Sequence, residues 1–224
     1  LLDTLGAQLL VSALATARIC MSTHFSGLGT AELAASMITA WSRVIVPAGA
    51  SVSHGYACEW SRSARNVLHR RLPGVCVFTD IRSRIVNLTS ELQAADEIDF
   101  EAAKWCVMNS DVGGHAHCAA HGVQCNVPHC DLDASGSPCP PWSRARKCNK
   151  ARRRVHKDVL LFLCWCRIIL HDRPRLIIHE NVIGFDVGLL RELVGHAYHI
   201  VECQMHPSDV GFSFVFRPRV FCFL

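Results

Sequence analysis

Apolar stretches of strand length alternate with longer stretches of helical periodicity along most of this chain, and that alternation restricts its fold more than any other feature. "RICMST" (18–23) passes through the glycine turn "FSGLGT" into helical "AELAASMITAW", and "SVSHGYACE" (51–59) is followed by "SRSARNVLHRRL". "VCVFTD" (75–80) opens a long middle of helical and irregular character. Beyond it, "CDLDAS" (130–135) precedes the helix "VHKDVLLFLCWCRIIL" (155–170), and "RLIIHE" (175–180) precedes "GFDVGLLRELVG". The last pieces, "HIVECQMH" and "RPRVFCFL", are separated by a Gly-containing loop and read as an antiparallel pair. The pattern predicts one α/β domain: a doubly wound, mostly parallel sheet with helices on both faces, ending in an antiparallel strand. Its working residues should then lie in the loops at the carboxyl ends of the strands.

Composition excludes several other classes. With 224 residues, half of them hydrophobic and 19% charged, the chain is long enough to bury a real core and too apolar to be disordered. The thirteen cysteines are odd in number and follow no compact framework, which reads as reduced thiols of an intracellular protein. "HAHCAAHGVQCNVPHC" (115–130) holds four His and three Cys, but no CxxC pair and none of the usual structural zinc spacings, so no metal is expected. Residues 1–17 end in small residues like a signal peptide, yet Asp3 interrupts the apolar run and no basic segment precedes it. They read as a flanking helix, with the domain proper over 18–224. No run reaches the roughly 18 apolar residues of a membrane span. The net charge of +4 is mild, but "RARKCNKARRRVHK" (144–157) concentrates eight of the 23 Lys and Arg without one acid. Such a segment favours a polyanion, or is simply a solvated helix start.

The strand ends carry the chemistry. Gly27 and Gly29 in "FSGLGTAE" allow a tight turn and close approach of a ligand to the backbone. The dinucleotide fingerprint wants a third glycine where Glu32 stands, which points away from nicotinamide and toward another nucleoside-like ligand. Glu59 ends the second strand, where doubly wound folds commonly hold ribose hydroxyls, and Asp80 ends the third as an acceptor for an adenine amino group. Helix capping is the structural alternative for both acids.

At the fourth strand end, "GSPCPPWS" resembles the nucleophile motif of the C5-cytosine methyltransferases, with Cys139 as the attacking thiol. The fifth supplies "HENV" (179–182), similar to the family's next signature, with Glu180 as the acid that engages the target ring. "RPRVF" resembles the paired-arginine motif, so that Arg217 and Arg219 match the residues orienting the base and its phosphate. The glycine loop then matches the methyl-donor loop. The resemblance implies a Rossmann-like, S-adenosylmethionine-dependent methyltransferase fold, with the donor held by Phe25, Ser26, Gly27, Gly29, Glu59, Trp60, Asp80 and Pro138. Thr23 and His24 depart from it, standing where an acid and an apolar residue are usual, and Val215 stands where Gln is frequent.

The residue types fit the implied chemistry. Cytosine C5 is too weak a nucleophile to take a methyl group directly, and a thiolate added at C6 makes it nucleophilic. A carboxyl group at N3 offsets the charge pushed onto the ring. A base inside a duplex must be flipped out first, at a cost of a few kcal/mol. The segment after the nucleophile matches the family's mobile loop in position, and Ser143, Arg144, Arg146, Lys147, Arg152 and Arg153 are its expected contacts to nucleic acid. The expected partner is double-stranded DNA, with no membrane and no obligate protein partner. The rivals are methylation of cytosine in a transfer RNA and a non-catalytic nucleic-acid-binding remnant. The family's target-recognition region and later motifs do not follow Leu224, so a fragment is expected. A DNA substrate implies the nucleus of a eukaryote or the cytoplasm of a bacterium.

Overall fold

The structure is a computed structural model that describes residues 18–45, 51–143, 153–212 and 214–224. Its elements in chain order are β1 (Arg18–His24), α1 (Thr30–Ile45), β2 (Ser51–Cys58), α2 (Arg62–Arg71), β3 (Cys76–Phe78), α3 (Ser90–Ala94), α4 (Phe100–Asn109), β4 (His115–Cys118) and β5 (Val123–Asn126). They continue with β6 (Leu132–Ser135), α5 (Asp158–Asp172), β7 (Leu176–Val182), α6 (Val187–Val194), β8 (Val201–Met205) and β9 (Arg219–Phe223). The expected flanking helix at 1–17 lies outside the described residues.

The nine strands among the described residues form one sheet in the order β5-β4-β3-β2-β1-β6-β7-β9-β8. The five strands from β3 to β7 in that order pair in parallel, which requires the helical crossovers seen in the sequence pattern. On one edge β9 runs antiparallel to both β7 and β8, as the last two apolar segments predict. The other edge departs from expectation: residues within the irregular middle form the β4–β5 hairpin, antiparallel to β3. Its strands are only four residues each, β4 mixing His with Ala and Cys and β5 holding Gln and Asn, too short and too polar to stand out as strands.

Burial follows the pleat and the helix period. In β7 the alternate residues Ile177, His179 and Asn181 are buried, which turns Glu180 to the opposite face. The central helix α5 is apolar nearly all round because it is covered on both sides, and Phe162, Leu163, Trp165 and Ile168 are almost fully buried. Trp142 and Phe185 meet Phe162 edge-on, with ring centroids 6.2 and 5.4 Å away, and join the loop after β6 to the one after β7. Side-chain caps start the helices at Ser61, Asp99 and Asp186. Among the described residues, no helix is long and apolar enough to cross a membrane.

Candidate active site

The chain leaves β1 toward β2 and β3 on one side, but leaves β6 toward β7 on the other. The loops beyond the two strands therefore part, and a crevice must open at their carboxyl ends. A cleft of about 550 Å³ lies there, within the usual span of small-molecule sites. Phe25 from the loop after β1 and Pro138 from the loop after β6 line it, together with Glu59, Trp60 and Asp80 beyond β2 and β3. Lys157, Asp158 and Leu161 at the start of α5 complete the opposite wall.

The glycine loop is held in a strained shape. Gly27 and Gly29 have φ of +55° and +81°, and Phe25 adopts φ +57° without being glycine, a conformation that persists only where the surroundings enforce it. Ser26 supplies part of that enforcement, since its hydroxyl meets Thr23 Oγ1 at 2.7 Å and accepts the Cys58 N–H at 3.2 Å. Glu59 supplies the rest by accepting the N–H of Gly27 at 2.8 Å and of Ser61 at 2.6 Å. Ser26, Gly27 and Gly29, expected among the donor contacts, shape the loop that presents Phe25 to the cleft. Asp80 combines the two readings open to it. It caps the turn after β3 by accepting the Arg82 N–H at 2.9 Å, and it also lines the cleft. The Arg82 guanidinium pairs with Asp80 at 2.9 Å and lies 5.3 Å from the centroid of the exposed Trp60 ring.

Cys139 is exposed in the turn after β6, where its carbonyl accepts the N–H groups of Trp142 and Ser143 at 2.9 Å each. The turn is anchored from β7. Buried His179 Nε2 lies 3.0 Å from Ser137 Oγ, and Asn181 Nδ2 donates to Ser137 O at 3.0 Å and Ser137 Oγ at 3.1 Å. His179 and Asn181 thus hold the turn that carries Cys139, a part that reading the sequence alone did not assign to them. The signal was in the pleat: flanking Glu180 on both sides, they share the buried face. Burial pushes the His179 imidazole down to about 3, against a smaller upward pull from Asp133. Trp165 and Phe185 enclose its ring at centroid distances of 4.6 and 4.9 Å.

Glu180, on the other face, accepts from Arg219 Nε at 2.5 Å. A Cβ built on Gly136 would stand 3.2 Å from Glu180 Oε2, so the bare backbone at 136 makes room for this carboxylate beside the loop that carries Cys139. The structure therefore brings Glu180 and Arg219 together next to that loop. It leaves Arg217 exposed ahead of β9, without joining it to that pair. Of the basic segment, Arg144, Arg146, Lys147 and Arg152 lie outside the described residues. Arg153 turns inward, with Nη1 3.5 Å from the Gly184 carbonyl, and Arg154 pairs with Asp186 at 3.1 Å. That end of the run is tied to the fold because the loop after β7 offers it a carbonyl and a carboxylate.

The two departures before the glycine loop are satisfied internally. Thr23 donates to buried Glu32 at 2.5 Å, and His24 Nδ1 lies 2.7 Å from Asp133 Oδ2. Asp133 also accepts from Ser22 at 2.8 Å and from Trp165 Nε1 at 3.0 Å. Burial alone would raise the Asp133 carboxyl, but His24 and these donors outweigh it and hold the group below the usual carboxylate range. His24 thus serves the joint between β1 and β6, and Thr23 ties β1 to the first turn of α1.

The fold is thus a doubly wound sheet with a ligand-sized cleft at its switch point, and beside that cleft the Glu180 carboxylate stands next to the loop that carries Cys139. The profile of the C-5 cytosine-specific DNA methylase family matches residues 87–187, a stretch that includes Cys139 and Glu180 and hence two of the motifs that carry the resemblance. Among solved structures, the Dnmt2 methyltransferase of S. pombe superposes with a TM-score of 0.52 at 14% identity, over 92% of this chain and 49% of that one. A protein described as a DNA modification methyltransferase encoded within a prophage of E. coli also gives 0.52, at 18% identity over 92% of this chain and 46% of its own. These likenesses concern the fold, and the chain spans about half the length of those proteins. No curated protein sequence matches.

Proposed function

We propose that this chain transfers a methyl group from S-adenosylmethionine to C5 of a flipped cytosine in DNA, through a covalent adduct on Cys139. One observation carries the reading: exposed Cys139 and the Arg219-paired Glu180 stand at the carboxyl ends of neighbouring parallel strands, beside a cleft that Pro138 helps to line. The cleft suits the donor. Trp60 offers a face for an adenine, and Glu59, which accepts one hydrogen bond on each oxygen, retains lone pairs for hydroxyl donors, while Asp80 would take an amino donor in exchange for one of its four contacts with Arg82. When bound there, the donor supplies an electrophilic methyl group, and every other task falls to the protein.

Pro138 and Pro140 limit the backbone freedom of Cys139, so that its sulfur waits in one place. The thiolate adds to C6 while Glu180 holds a proton at N3, which keeps negative charge from building up on the ring. C5 then takes the methyl group, its proton departs to a base, and the Cys139 sulfur leaves with the bonding pair, restoring the aromatic product. Arg219 fixes the Glu180 carboxylate, and the basic segment after the nucleophile contacts phosphates.

The test is an oligonucleotide carrying 5-fluorocytosine, whose C5 substituent cannot depart as a proton, incubated with the chain and the donor. Expected is a complex that survives denaturing electrophoresis with the DNA version and is absent for Cys139→Ser. Trapping on an RNA version alone would move the substrate to RNA. Trapping on neither, with donor binding shown by calorimetry, would leave a nucleic-acid-binding remnant and end the catalytic reading.

A further inference from the structure

Four metal-ligating side chains meet at the sheet edge remote from Cys139. Cys76 lies on β3, Cys118 ends β4, His121 sits in the hairpin turn, and Cys125 lies on β5. Strand register explains why the sulfurs converge. Phe78 pairs with Cys118, and Ala116 pairs with Cys125. Cys76 is two residues from Phe78, and Ala116 two from Cys118, so the period of two puts all three cysteines on one face of three adjacent strands. Gly122, at φ +69°, lets the turn close, and His121 folds back over the sulfurs.

We propose that Cys76, Cys118, His121 and Cys125 bind one zinc ion as a closed structural site. The four ligand atoms all lie within 4.8 Å of one another. His121 Nδ1 is 3.6 Å from Cys76 Sγ, 3.4 Å from Cys118 Sγ and 3.3 Å from Cys125 Sγ. Zn–S bonds of about 2.3 Å and Zn–N bonds of about 2.0 Å at tetrahedral angles place sulfur and nitrogen about 3.5 Å apart. The imidazole therefore already stands at the fourth corner of a tetrahedron whose base is the three sulfurs. Three thiolates and one neutral imidazole suit a soft-accepting, four-coordinate ion, and no corner is left open for water, which makes the site structural. Binding releases the thiol protons to solvent as the Zn–S bonds form.

The fold gives the ion a task. The hairpin joins the sheet through a single residue pair, Phe78 with Cys118, supplemented by the Ala119 N–H donating to the Val77 carbonyl at 2.8 Å. A two-stranded hairpin so lightly attached is marginal by itself. An ion held by β3, both hairpin strands and their turn would staple it. It would also steady β3, whose far end leads into Thr79 and Asp80 in the cleft wall.

The test uses the whole chain purified from zinc-supplemented medium without chelators. Elemental analysis should find one zinc per chain. After zinc removal, Co(II) titration should give a thiolate-to-cobalt charge-transfer band and tetrahedral d–d bands, reversed by zinc. His121→Ala, at an exposed position, should weaken Co(II) binding at least tenfold and leave the far-ultraviolet dichroism unchanged. Cys125→Ser should weaken and shift the charge-transfer band, and Cys203→Ser on β8 should change nothing. Zinc well below one equivalent together with no charge-transfer band would overturn the proposal, as would a spectrum indifferent to both ligand variants. These readouts need no methyl transfer, so the metal site and the proposed reaction stand or fall separately.

Discussion

Lowering the pH should unfasten the turn that carries Cys139, because its anchor His179 is buried in its neutral form. The folded state holds this imidazole at about 3, against an ordinary 6.5. Between those values the unfolded chain binds a proton that the folded chain refuses, so stability rises with pH across the window. The contribution of neutral His179 is full above about 6.5 and drains away as the pH falls toward 3, at about 1.4 kcal/mol per unit. At pH 5, about 1.5 units into the window, the loss is about 2 kcal/mol. Urea unfolding of wild type and His179→Gln at pH 7.5 and 5.0 isolates the effect, since glutamine cannot take up the proton and the other titrating groups are common to both. Wild type should lose about 2 kcal/mol more than the variant between the two conditions. Equal losses, within about 0.5 kcal/mol, would refute the argument that burial and not hydrogen bonding governs this histidine.

Three further outcomes rest on contacts at the Ser137 turn, at Gly184 and at the Arg84–Asp172 ion pair. Asn181→Ala removes both amide donations to Ser137 and should cost about 1–2 kcal/mol in chemical unfolding, with a larger relative loss in the rate of covalent trapping than in nucleic-acid binding. Gly184→Ala would set a Cβ 2.3 Å from the Trp142 carbonyl oxygen, and the loop must shift, so the melting temperature should drop by an amount equivalent to about 1–3 kcal/mol. Arg84→Met strips the buried partner, 2.7 Å away, from Asp172 and should destabilise by about 3 kcal/mol, while the double variant with Asp172→Leu should recover much of the loss.

The order of strands and helices apart from the β4–β5 hairpin, the turn at Gly27 and Gly29, and the residues resembling a nucleophile, an acid and an arginine motif were legible in the chain. Each is a local property: periodicity declares an element, glycine declares a turn, and a motif keeps its spacing whatever surrounds it. Contacts between distant segments are not local properties. His179 and Asn181 were visible as letters around Glu180, but their grip on Ser137 depends on β7 lying beside β6. The cysteines and histidines of 115–130 failed a linear metal pattern because the fourth ligand, Cys76, belongs to another strand, and only the antiparallel register of β3, β4 and β5 brings it in. Sequence thus determined what lies within a few residues along the chain. The tertiary structure decided which distant groups share a face, a cleft or a tetrahedron, since hydrogen bonds, ion pairs and coordination depend on distances in space that strand order and register set.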